Sequence, residues 1–94
     1  MAIHLKNYQK KGVNSLLSCE VSLFPLEVVN SDAIINQSLE SLKSTGIKHE
    51  IGNQSTYLYS ESPEQIWNGL QTIYREAAKA GTEFSMVINL SNNT

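Results

Sequence analysis

The sequence predicts one α+β domain of ferredoxin-like order, β-α-β-β-α-β, with a four-stranded antiparallel sheet and two helices on one of its faces. Three observations predict it. Four short segments alternate apolar and polar residues with the two-residue period of half-buried strands. Two others carry apolar residues at helical spacing between a capping residue and a stopping glycine. The two kinds follow one another as strand, helix, strand, strand, helix, strand.

Residues 1–14 mix Lys6, Asn7, Gln9, Lys10, Lys11 and Gly12 without a sustained apolar period, so they are expected to form a flexible arm, with residues 15–94 as the single domain. Leu17, Cys19, Val21 and Leu23 alternate with Ser18, Glu20 and Ser22 to give the first strand, stopped by Pro25. Asn30, Ser31 and Asp32 offer capping oxygens to a helix over residues 32–45. Its apolar positions are Ile34, Ile35, Leu39 and Leu42, and Gly46 supplies a left-handed stop. Ile47, His49 and Ile51 alternate with Lys48 and Glu50, Gly52-Asn53 makes a turn, and residues 55–60 return as the second arm of a hairpin. The second helix has the strongest signal: Ser62 as cap, Pro63 in the first turn, Gln65 three residues after the cap, a broad apolar stripe through Ile66, Leu70, Ile73 and Ala77 widened by Trp67, Tyr74 and Ala78, and Gly81 at its end. Phe84, Met86, Ile88 and Leu90 then alternate with Ser85 and Asn89 as the last strand.

Both helices belong on one face, so the other face is left open. Alternation places Glu20, Ser22, Phe24, Lys48, Glu50, Tyr57, Tyr59 and Val87 on it. Exposed aromatics on a sheet call for a partner.

Composition narrows the function. Ninety-four residues, 40% of them hydrophobic, supply one core and no more. A charged fraction of 17% and a net charge of −2 give no basic field for a nucleic acid. The single cysteine, Cys19, sits in an apolar run, which rules out an intramolecular disulfide and points to a cytoplasmic location. No apolar stretch has the length of a membrane span, so neither export nor membrane insertion is expected.

Catalytic machinery is not expected either. The five glycines stand singly, which leaves no phosphate cradle. Cys19, His4 and His49 are too few and too scattered for a metal, and no cofactor is expected. His49 lies on the apolar side of its strand, where a structural histidine is the commoner role, and Cys19 has no base beside it. An acylphosphatase, known on this topology, needs an arginine after the first strand, but the only arginine is Arg75, late in the second helix. Tyr57 and Tyr59 could stack on bases, but the basic surround of an RNA reader is missing. Trp67 and Tyr74, seven apart, suit packing or an interface better than a ligand wall.

The run Cys19-Glu20-Val21-Ser22-Leu23-Phe24-Pro25-Leu26, then Leu42-Lys43-Ser44-Thr45-Gly46, Ser55-Thr56, and Ala77-Ala78-Lys79-Ala80-Gly81, resembles the thiamine/hydroxymethylpyrimidine-binding family often called YkoF-like. The resemblance covers about residues 17–90 through the order and spacing of these motifs. It implies a non-catalytic subunit that associates through its sheets, as a homodimer or homotetramer, and binds the pyrimidine part of thiamine or its precursor. Ser22, Ser55 and Thr56 match the family pattern and are expected to offer hydroxyls. The chemistry of a flat aminopyrimidine adds Glu20 as acceptor from the amine or counter-charge to a thiazolium, Phe24 and Trp67 as walls, and Asn89 as a further polar contact. The alternative is a regulatory or scaffold module of the same topology with another ligand or none.

Overall fold

The structure, a computed structural model, describes residues 16–26, 31–81 and 83–92, so the expected arm over residues 1–14 lies outside the described residues. The elements are β1 (Leu17–Pro25), α1 (Ser31–Glu40) continued by a 3-10 segment (Ser41–Thr45), β2 (Lys48–Ile51), β3 (Thr56–Ser60), α2 (Pro63–Lys79) and β4 (Phe84–Ser91). The sheet runs β2-β3-β1-β4, antiparallel at every junction. This is the expected ferredoxin-like α+β architecture. Pro25 ends β1 as foreseen, and Leu26 donates its N–H to Glu83 O at 2.8 Å.

Both helices lie on one side, and the core forms between them and the sheet. Cys19, Val21 and Leu23 of β1 and Leu58 of β3 meet Leu39, Leu42, Ile47 and the Ile66, Leu70, Ile73 and Ala77 stripe of α2. Gly69 explains how closely α2 approaches. A Cβ there would stand 3.2 Å from Leu58 Cδ1 and 3.7 Å from both Ile47 Cδ1 and Leu42 Cδ2, so even one added methyl would meet ordinary contact on two sides and require the Leu58 side chain to give by a few tenths of an ångström.

Two local features depart from expectation. The first helix tightens to 3-10 geometry after Glu40, where four hydroxyls bond backwards: Ser38 to Ile34 O (2.8 Å), Ser41 to Ser38 O, Ser44 to Ser41 O (2.9 Å) and Thr45 to Leu42 O (2.6 Å). Such bonds compete with the regular ladder, and Gly46, at φ 75°, then ends the turn in the left-handed region. At α2, Ser62 Oγ accepts from Gln65 N at 3.3 Å as a cap should, yet the Gln65 side chain does not return to the Ser62 backbone. Instead Ser60 Oγ donates to Gln65 Oε1 at 2.5 Å and accepts from Ser62 N at 3.0 Å. The buried end of β3 thereby anchors the helix start.

Phe84, Met86, Ile88 and Leu90 share the helix-side face of β4, as the alternation requires, but only the first two pack against the core. Ile88 and Leu90 are exposed because β4 is an edge strand, beyond the full reach of the helices. Ile51, on the opposite edge, is exposed for the same reason.

Candidate functional site

Cross-strand register assembles the open face row by row. Asn89, Glu20, Tyr57 and Glu50 form one row across all four strands, since Glu20 pairs with both Asn89 and Tyr57, and Tyr57 pairs with Glu50. Toward one end follow the Val87–Ser22 and Ser85–Phe24 pairs, and toward the other Ser91, Ser18, Tyr59 and Lys48. Every residue expected on this face is there.

Glu20 is the polar centre of the face. Its Oε2 accepts from Ser55 Oγ at 2.9 Å and from Tyr57 OH at 3.1 Å, while Tyr59 OH donates to Glu50 Oε1 at 3.1 Å. The Tyr57 and Tyr59 rings stack with centroids 6.4 Å apart and planes inclined by 13°. A carboxylate held by two hydroxyls keeps lone pairs for a further donor, since it can accept about four hydrogen bonds. Phe24 and Val87 give the same face an apolar end.

Five of the seven expected site residues, Glu20, Ser22, Phe24, Ser55 and Asn89, therefore lie on one surface. The other two lie elsewhere. Thr56 follows Ser55 in an extended segment and so points to the opposite face, where it is 2% exposed. It lines a recess of about 60 Å³ with Val21, Leu23, Ile35, Leu39 and residues 52–55, Ser55 among them. Trp67 stands exposed on α2, on the helix side of the sheet. Tyr57 and Glu50 join the cluster although neither is among the expected ligand residues, and the signal that finds them is the same alternation that put them on the open face.

Partial burial first, then the hydrogen bond from Tyr59 to Glu50 and the charges of Glu50 and Tyr57, hold the Tyr59 phenol above the ordinary tyrosine range. The folded state thus keeps a proton that the unfolded chain gives up near pH 10. The Tyr59 contribution is expected to be complete below that pH and to be lost as pH rises through the folded value. Absorbance titration of the wild type against Tyr59→Phe checks this, and tyrosinate signals appearing together in both proteins would refute it.

Burial likewise raises the Cys19 thiol, which suits an unreactive core side chain. His49 faces the helix side opposite Leu58, and its Nδ1 lies 2.8 Å from Ile47 O. Among the described residues no three His, Cys, Asp or Glu side chains converge as metal ligands. No described helix is long and apolar enough to cross a membrane.

Known proteins place this geometry. A candidate thiamine biosynthesis/salvage protein from Thermotoga maritima superposes with a TM-score of 0.69 at 18% identity, over 81% of this chain and 82% of that one. A domain of unknown function, DUF77, from Bacillus cereus gives 0.72 at 15% identity over 82% and 75%. A hypothetical protein from Methanocaldococcus jannascii gives 0.73 at 15% over 85% and 82%. At these identities the likeness shows the fold. No curated protein matches the chain in sequence. The model of the YKOF-related family matches residues 16–94, nearly the whole chain, and the chain belongs to that family.

Proposed function

We propose that the chain binds thiamine or its hydroxymethylpyrimidine precursor on the open sheet face, with Glu20 as the anchor, and has no catalytic step of its own. The observation that carries this reading is the Glu20 carboxylate, held by Ser55 and Tyr57 with acceptor capacity to spare. An exocyclic amine can donate to it, and a thiazolium gains from its charge. Ser22 and Asn89 stand beside Glu20 as further polar partners, and Phe24 offers an apolar wall. Family membership and the thiamine-related Thermotoga neighbour support the same ligand class. The helix-side recess is a poor competitor: about 60 Å³ holds a few waters, far below the roughly 300 Å³ at which ligand pockets begin.

A flat sheet buries little of a ligand by itself. The proposed site is closed by a second copy of the chain laid against the open face, which covers Phe24, Tyr57 and Val87 at the same time. Replacing Tyr57 or Phe24 by Asp is expected to weaken self-association several-fold by placing charge in that contact. Light scattering at matched concentration reads the change, and an unchanged mass for both variants removes the open face from the assembly.

Calorimetric titration with thiamine and with hydroxymethylpyrimidine tests the ligand. Saturable heat with either is expected. The absence of saturation with both would end this reading and leave the ligand-free scaffold, which the exposed apolar side chains of the open face also favour.

A further inference from the structure

We propose that Glu50 and the stacked Tyr57–Tyr59 pair make the open face selective for a positively charged ring, so that thiamine lies with its pyrimidine at Glu20 and its thiazolium over the two tyrosines toward Glu50. This rests on the reading above, in which the open face holds the ligand, and gives that site a specificity-determining half that Glu20 does not supply.

Two similar units stand side by side on the sheet. Tyr57 OH donates to Glu20 Oε2 at 3.1 Å, and Tyr59 OH donates to Glu50 Oε1 at 3.1 Å. Glu20, Tyr57 and Glu50 occupy one cross-strand row, on β1, β3 and β2. Neighbouring strands run about 4.8 Å apart, so the backbones of the two glutamates are about 10 Å from each other with Tyr57 between them. Tyr59 follows two residues later on the same face of β3. In each unit one carboxylate oxygen takes the phenol, which leaves the other oxygen for a further donor or a positive charge.

The tyrosines supply the surface between these carboxylates. An aromatic face attracts a cation lying within about 6 Å of its centroid. With centroids 6.4 Å apart and planes inclined by 13°, one cation can sit within that reach of both rings. Each phenol shares its proton with a carboxylate, which polarises the ring and strengthens the attraction. Tyr59 holds that proton above the ordinary tyrosine range, so at neutral pH it stays a donor to Glu50 and keeps the pair in register.

The surrounding charge has the matching sign. Among the described residues, Lys43 and Lys79 belong to the helix layer and are ion-paired with Glu40 and Glu76 at 3.1 and 2.7 Å, while Arg75 bonds to Gln71 on α2. Lys48 is the one described lysine or arginine on the open face, opposite Tyr59, and it forms no ion pair with Glu50. Two carboxylates against one ammonium leave the face negative. Thiamine joins its rings through a single carbon, so a pyrimidine held at Glu20 leaves the thiazolium about one strand spacing away, over the tyrosines. The free pyrimidine precursor carries no such charge and meets Glu20 alone.

Calorimetric titration of the full chain and of Glu50→Gln, each with thiamine and with hydroxymethylpyrimidine, tests the assignment. Glu50→Gln is expected to weaken thiamine about fivefold at low salt and to leave the pyrimidine within about twofold. Glu50→Lys is expected to weaken thiamine further, and added salt to shrink both losses. Glu50 is exposed, so its replacement spares the core, and retained pyrimidine affinity shows that the rest of the site is intact. Equal losses for the two ligands, or unchanged thiamine affinity in both variants, overturn the proposal and leave the open-face site standing. A wild type that takes the pyrimidine and not thiamine does the same. A wild type that saturates with neither ligand removes the open-face reading and this inference with it.

Discussion

Truncating Leu58 to alanine is expected to cost about 3 kcal/mol of folding stability, within the range of roughly 2–5 kcal/mol measured for deep leucine truncations. Leu58 is fully buried on β3, pairs with Cys19 on one side and His49 on the other, and lies under the closest approach of α2 at Gly69. The gap has few ways to collapse, because the neighbouring atoms belong to a hydrogen-bonded sheet and a helix anchored at both ends of its first turn. A domain of this size holds on the order of 5–10 kcal/mol in all, so the loss is a large fraction, and the melting temperature is expected to fall by more than about 10 °C. Thermal unfolding followed by circular dichroism measures it. A loss under about 1 kcal/mol would mean that Leu58 does not hold the helix layer to the sheet.

The pair at this contact gives a sharper version. In the wild type, Gly69→Ala sets a helix propensity gain of about 1 kcal/mol against a contact of 3.2 Å with Leu58. With Leu58 already shortened, the crowding disappears and the propensity remains. Gly69→Ala is therefore expected to be more favourable in the Leu58→Ala background than alone, and a double-mutant cycle reads the difference as a coupling energy. Additive effects would show that the two positions do not press on each other.

Glu20→Ala is expected to weaken thiamine or hydroxymethylpyrimidine binding by about 10- to 100-fold, the equivalent of a hydrogen bond to a charged group. The same change removes the shared acceptor of Ser55 and Tyr57, so the remaining hydroxyls lose their fixed directions as well. Folding stability is expected to change little, because Glu20 is half-buried at the surface of the open face and touches none of the core. Calorimetric titration beside thermal unfolding separates the two quantities. Unchanged affinity with lowered stability would move Glu20 from the site to the scaffold. Glu20→Gln keeps an acceptor while losing the charge, and its smaller loss with the neutral pyrimidine than with cationic thiamine would identify which part of the ligand faces the carboxylate.

Much of the candidate site was legible in the chain before any coordinates. The alternation through Glu20, Ser22 and Phe24 places all three on the open face, and Asn89 faces Glu20 there across the β1–β4 ladder. The same rule, carried one residue further, turns the Ser55 and Thr56 side chains to opposite faces, so Ser55 Oγ reaches Glu20 while Thr56 is buried on the helix side, although both residues border the recess there. Trp67 differs in kind. The sequence sets it in the broad apolar stripe of α2, and only the way α2 packs on the sheet leaves it 53% exposed.

Element order, the Ser62 cap of α2 and the face each strand side chain takes were legible in the sequence alone. Each of these depends on a residue and its near neighbours, through backbone dihedrals and periods of two or 3.6 residues. The tertiary structure alone decided that Ser55 and Tyr57 converge on Glu20, 35 and 37 residues away, that α2 closes on β3 at Gly69, and that β4 ends the sheet with Ile88 and Leu90 uncovered. Those outcomes depend on strand order and on how far two helices can extend over four strands, and no pattern within a single element carries that information.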